Sequence, residues 1–180
     1  MKLKIFFFFL FAIQIINAQQ TEQYKNLTSQ IEPLETKKIE RKYRNGKIKE
    51  VYYLTTYEHK GLKYYLYSGK YYSYFRSGIK SEEREHDMFG VPLFTTWYYS
   101  NGDLSLKNKT IEIDTNAKSI KEFLESDKHL TRRLYSEIFI PLNGEKDKPI
   151  LIKEGEKVNG KRTGIWKFYR KGKLTKEKVY

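Results

Sequence analysis

The sequence predicts a mainly β protein: an antiparallel sheet of successive β-hairpins with one helical insertion. Three observations carry this. Short runs of tyrosine, phenylalanine, isoleucine and leucine are separated by glycine-containing dipeptides, the pattern of strands and tight turns. Four turns share one grammar, an aromatic residue three positions before a glycine: Tyr43 with Gly46, Phe75 with Gly78, Tyr99 with Gly102, and Tyr169 with Gly172. One stretch, Asn116 to Ser136, changes to helical spacing.

Taken in order, residues 1–18 read as a secretory signal peptide. Lys2 and Lys4 precede an apolar run from Ile5 to Ile13 with four consecutive phenylalanines, and Asn17-Ala18-Gln19-Gln20 supplies a small residue at a cleavage position. The run is too short to span a bilayer comfortably, so the expectation is an exported chain, periplasmic or secreted after cleavage near Ala18, and not an integral membrane protein. No cysteine is present, which excludes a disulfide staple and a thiol nucleophile. Residues 19–38 are polar, contain Pro33 and lack apolar periodicity, so they read as a flexible or loosely docked lead. A single repeat-type domain is expected over 39–180.

Within that domain Asn45-Gly46 and Asn101-Gly102 predict two-residue type I′ loops, which would pair Tyr43 with Ile48 and Tyr99 with Leu104. Tyr169 would face Leu174 in the same way. The Gly78 turn breaks this rule, because Ile79 stands one position early and Lys80 falls opposite Phe75, which predicts a different loop or register there. Tyr67-Ser68-Gly69-Lys70 reads as a looser copy of the turn. After a short strand at Ile111-Glu112-Ile113, the stripe Ile120, Phe123, Leu124, Leu130 and Leu134 predicts helix around 116–136, capped by Asn116 or Ser119 and able to split at Ser126-Asp127. Its apolar side is expected to cover one sheet face. Strands at Ile138–Leu142 and Pro149–Ile152, joined through Gly144, then lead to the last hairpin.

That last segment, Asn159-Gly160-Lys161-Arg162-Thr163-Gly164-Ile165-Trp166-Lys167-Phe168-Tyr169-Arg170-Lys171-Gly172-Lys173-Leu174, resembles the MORN-repeat variant of bacterial YwqK-type antitoxin-like proteins. The segments around Gly46, Gly78 and Gly102 match it in part, as does Gly90 to Trp97. The resemblance implies an open antiparallel sheet of hairpins and a binding or scaffold role instead of an enzyme.

Candidate binding residues are the aromatic ones: Tyr65, Tyr67, Tyr72, Tyr74, Trp97, Tyr98, Trp166, Phe168 and Tyr169. Adjacent aromatics point to both faces of a strand, so some must be exposed, where they can stack on sugar rings or form a protein interface. Cross-strand tyrosine ladders that stiffen the sheet are the alternative. The formal charge of +13 is spread along the chain and not held in one block. Partners consistent with export are a protein or an anionic envelope component, acidic polysaccharide or lipid headgroups, with no nucleic acid expected. No cofactor, metal site or catalytic constellation is predicted. His59, His86 and His129 lack ligand spacing, and Glu82-Glu83-Arg84-Glu85-His86-Asp87 reads as a solvated charged turn. A hydrolase using Glu82, Glu85 and Asp87 on envelope polysaccharide, and an immunity-type partner protein, are the alternative functions.

Overall fold

The structure, a computed structural model, describes residues 18–141 and 149–180. The expected signal peptide before Ala18 and the loop through Gly144 lie outside the described residues.

The mainly β expectation holds. The strands are β1 (Gln19–Gln20), β2 (Glu35–Lys42), β3 (Ile48–His59), β4 (Leu62–Tyr74), β5 (Lys80–His86), β6 (Pro92–Tyr98), β7 (Leu104–Thr115), β8 (Leu130–Ile140), β9 (Ile150–Val158), β10 (Lys161–Arg170) and β11 (Lys173–Val179). Strands β2 to β11 lie side by side in chain order, each antiparallel to the next. Each strand from β2 to β11 therefore pairs with its neighbours in the chain, which keeps the loop-closure cost of these pairings small.

The turns correct the predicted loop type. At three of them the aromatic amide donates to the carbonyl four residues on: Tyr43 to Lys47 (2.8 Å), Phe75 to Ile79 (2.8 Å) and Tyr99 to Asp103 (2.8 Å). The glycine amide returns to the aromatic carbonyl, so each is a three-residue loop with glycine in the left-handed region, at φ 80°, 96° and 93°. Asn45 and Asn101 keep negative φ and use their side chains instead, accepting the amides of Lys47 and Asp103. The register accordingly moves by one, to Lys42–Ile48, Tyr74–Lys80 and Tyr98–Leu104. Gly78 obeys the same rule as its neighbours, against expectation. The type I′ loop occurs at Lys171-Gly172, where both residues have positive φ and Tyr169 does face Leu174.

The repeated aromatic also ties hairpins together. Tyr43 Oη donates to the Tyr74 carbonyl at 2.6 Å, and Tyr99 Oη to the Phe139 carbonyl at 3.0 Å, each reaching past its own hairpin. Gly69, read as a turn, instead sits inside β4 with φ 59°, where the β3–β4 register shifts.

The lead carries regular structure: β1, a short helix and the start of β2 fall within residues 19–38. Thr21 caps α1 (Glu22–Thr28) by accepting the Tyr24 amide, and Tyr24 and Leu27 are buried. A seven-residue helix offers only these two core contacts, too few to make a periodic signal. Before it, β1 runs parallel to β7, Gln19 opposite Glu112 and Gln20 opposite Ile113. Because β8 occupies the other edge of β7 there, β1 takes the edge that β6 leaves bare beyond Lys109.

The insertion is shorter than predicted. Helix α2 covers Ile120–Glu125, capped by Ser119, and a single 3-10 turn follows at Asp127–His129. From Leu130 the chain is already β8. Leu130 and Leu134 satisfy both a helical and a strand period, and the ladder to β7 decides for the strand.

The core lies at one end of the sheet. Tyr24, Leu27, Val91, Ile113, Ala117, Ile120, Phe123 and Leu124 are buried together. Phe123 meets Tyr24 and Phe89 edge-on, and Phe89 stacks on Tyr57 at 5.0 Å. Asp87 fastens α1 to the β5–β6 turn: its carboxylate accepts from Tyr24 Oη at 2.5 Å and from the amides of Phe89 and Val91 at 2.9 Å each. No helix packs over β9 to β11 among the described residues, and none of the helices is long and apolar enough to cross a membrane.

A cationic cleft on one sheet face

The register places side chains on the two faces in straight rows, since direct cross-strand partners point the same way. On one face a row runs Tyr71, Arg84, Thr95, Asn108, Ser136, Gly155 from β4 to β9. Beside it runs Ser73, Glu82, Trp97, Leu106, Ile138, Lys153, Phe168. On the other side lies Thr110, Leu134, Lys157, Arg162.

Where β5, β6 and β8 approach the β5–β6 turn, this face opens into a cleft of about 400 Å³ lined by Tyr67, Arg84, His86, Pro92, Asp127 and Arg132 among others. Arg132 projects from β8 two residues before Leu134, and its Nη1 donates to the Pro92 carbonyl at 3.4 Å. Burial, then the neighbouring Arg84 cation, holds the Arg132 guanidinium below its ordinary pKa. Among the described residues no carboxylate pairs with it. The adjacent Arg133, on the opposite face, has two: Glu112 at 3.5 Å and Glu156 at 3.9 Å. Arg84 is paired with Glu82 at 2.5 Å and lies over the Tyr71 ring at 5.0 Å.

His86 is buried, stacks on Tyr67 with centroids 5.7 Å apart, and has Nδ1 3.3 Å from the Gly69 carbonyl. Burial pushes its pKa down, so it is neutral near pH 7. The expected solvated charged turn is thus a strand whose end is buried: burial also raises the Asp87 carboxyl, against the pull of Tyr24 and two amides. Core side chains arriving from α1 and the β5–β6 turn create this environment, and no local sequence pattern announces them.

The predicted aromatics divide between faces. Tyr67 lines the cleft, and Trp97, Trp166 and Phe168 share its face. Trp97 is 41% exposed with its indole N–H on Glu82. Trp166 is fully buried, its ring laid on Gly155 and its Nε1 on the Glu156 carbonyl, so it is structural. Tyr72 and Tyr169 lie on the opposite face, under Lys80 and bonded to Glu154. Tyr74 and Tyr98 sit at the register shifts beside turns, and Tyr65, 62% exposed, stands on β4 opposite Thr56. The nine do not form one site. Arg84, His86 and Arg132 were not among them; counting every second residue along β5 gathers Arg84 and His86, but Arg132 fell in the segment read as helix.

The acids of a hydrolase do not converge. Glu82 and Glu85 point to opposite faces, and Asp87 is committed to Tyr24. Comparison with family models, curated proteins and solved structures gives no match to this chain.

Proposed function

We propose that the chain is an exported, non-enzymatic binding protein whose cleft holds an anionic group of an envelope component. The observation that carries this is Arg132: a half-buried guanidinium beside a second one, with no carboxylate partner among the described residues. Burying a cation without an anion is costly, and a bound carboxylate, phosphate or sulfate removes that cost through charge-assisted hydrogen bonds. Arg84 stands across the cleft to share the anion, and the neutral Tyr67–His86 stack forms an aromatic wall beside it. Asp127 lines the rim and limits how many negative charges enter. The signal-peptide pattern and the repeat resemblance both support an exported binding role.

Titrating the chain with inorganic sulfate at low salt, followed by amide and arginine side-chain NMR shifts, tests the reading. Saturable shifts at Arg84 and Arg132 are expected, weakened about tenfold or more in Arg132→Ala. Equal binding by the variant overturns it.

A further inference from the structure

The cleft is one end of a larger arrangement. On its face the rows carry Arg84, Arg132, Lys153, Lys157 and Arg162, and on β11 Lys176 and Lys178 stand opposite Phe168 and Trp166. Glu82 is the one acid in these rows, and it is spent on Arg84 and Trp97. The opposite face differs. There the row Tyr72, Glu83, Thr96, Lys107, Glu137, Glu154, Lys167, Glu177 mixes signs, and so does Lys70, Glu85, Phe94, Lys109, Tyr135, Glu156. From β5 to β11 one sheet face is balanced and the other is cationic; on β3, Glu50, the cross-strand partner of Ser73, also stands on the cationic face and is held by Arg41 and Tyr71.

The cationic face accepts a cost for this. Lys157 and Arg162 are direct cross-strand partners, a like-charge pairing that destabilises a ladder, and burial together with Arg162 lowers the Lys157 pKa. Arg162 spreads over the Trp166 and Tyr180 rings, at 4.6 and 5.2 Å, and Lys178 over Tyr180 at 4.5 Å. Rings hold these cations in place without neutralising them. Between the two cationic ends the central row is neutral and polar: Thr95, Asn108 and Ser136. Thr95 and Ser136 are buried, and Asn108 Oδ1 and Ser136 Oγ are closed off from solvent, so this row forms a neutral floor under the longer charged and aromatic side chains of the rows beside it.

We infer that this face is a track for a linear acidic polysaccharide lying across the strands, entering the cleft at Arg84 and Arg132 and reaching Lys157 and Arg162. The inference rests on the proposed anion-binding role and gives it a ligand class. Six strand spacings separate β5 from β11, about 29 Å at roughly 4.8 Å each, so the track takes several sugar units. Spaced carboxylates match cations at the two ends, and the exposed Trp97 and the partly exposed Phe168 offer rings for stacking between them. A nucleic acid strand, charged at every residue, would leave the neutral middle opposite phosphates.

Hyaluronan oligosaccharides, which carry a carboxylate on alternate sugars, test this with the mature chain at low salt. Affinity is expected to rise with oligosaccharide length until the chain is as long as the track, and then to level. In Lys153→Glu/Lys157→Glu/Arg162→Glu the longer oligosaccharides bind about tenfold more weakly while sulfate binding at the cleft is unchanged. Lys107→Glu/Lys109→Glu, on the balanced face, leaves both unchanged. Length-independent affinity, an equal loss from reversing the balanced face, or tighter binding to anionic phosphatidylglycerol vesicles or to single-stranded DNA overturns the track. Sulfate binding that survives in any of those outcomes keeps the anion cleft; loss of sulfate binding in the unaltered chain removes the cleft reading itself.

Discussion

Replacing Tyr24 by phenylalanine removes one hydroxyl from the centre of the core and leaves the ring. The ring is fully buried against Phe123, so packing is retained and the change isolates the bond to Asp87. A hydrogen bond to a charged group contributes about 1.5–3 kcal/mol. For a chain of this size that corresponds to a fall in melting temperature of roughly 3–12 °C. The sign of the pH dependence follows from Asp87, whose carboxyl is raised by burial and pulled back by Tyr24 and the amides of Val91 and Phe89. Losing the hydroxyl raises it further. The penalty of Tyr24→Phe is therefore largest where Asp87 is ionised and shrinks as pH falls through the Asp87 pKa of the folded state. Tyr57→Phe is the comparison, since its hydroxyl donates to the neutral Met88 carbonyl at 2.7 Å; its cost is about 0.5–1.5 kcal/mol and does not shrink in acid. Urea unfolding of both variants at pH 7 and pH 4 decides the matter. A Tyr24→Phe penalty no larger than that of Tyr57→Phe, or one that grows on acidification, refutes the account of how α1 is held.

Other consequences follow from single contacts. A Cβ at Gly155 would lie 2.7 Å from three ring atoms of Trp166, so Gly155→Ala costs about 1–3 kcal/mol and changes the near-ultraviolet signal of the buried indole; an unchanged melting curve contradicts the packing. Tyr43→Phe and Tyr99→Phe each lose a bond to a neighbouring hairpin, about 0.5–1.5 kcal/mol apiece, and the losses add in the double variant because the sites are far apart, whereas a coupling above about 0.5 kcal/mol speaks against two local ties. His86 is held neutral by burial, its folded-state pKa lying below the unfolded value near 6.5. Its contribution to stability is complete above about pH 6.5 and is lost as pH falls through that value toward the folded pKa, so His86→Gln flattens the melting temperature between pH 7.5 and 5; an equally steep profile in the variant places the titration elsewhere.

The sheet was legible because its evidence is local. Strand runs and aromatic-to-glycine spacing survive in the amino-acid order, and sequential hairpins need no distant partner. What the order left ambiguous was geometry with two solutions. Asn-Gly suits a type I′ loop and also a three-residue loop with asparagine as side-chain acceptor; the choice at Gly46 and Gly102 came from the amide pattern around Lys47 and Asp103. Leu130 and Leu134 fit two periods at once. The N-terminal lead hid a helix with two core residues, and those two matter only because α2 and the β5–β6 turn come to meet them. The cleft was illegible for the same reason: Arg84 and Arg132 are brought to one face by the β5-to-β8 register and given their environment by distant packing.

The core and the proposed anion cleft occupy different parts of the sheet, and the topology explains why. The apolar contacts gather where the β3–β4 and β7–β8 hairpins overhang the short β5 and β6 strands, and α1 and α2 fill that space. From β9 to β11 ladder bonds, Trp166 on Gly155 and cations over rings hold the sheet without a covering layer. A face left bare must be polar, but polarity alone would be met by mixed charges, as on the opposite face. Segregating cations onto one side, with Lys157 and Arg162 opposed, works against folding, and the proposed anionic ligand would supply the missing negative charge. The two parts meet at the β5–β6 turn, whose Asp87 is gripped by the core and whose Val91 and Pro92 wall the cleft. On the proposed reading, a change that loosens α1 weakens anion binding before it unfolds the sheet, because the wall beside Arg132 is carried by the β5–β6 turn that Tyr24 holds through Asp87.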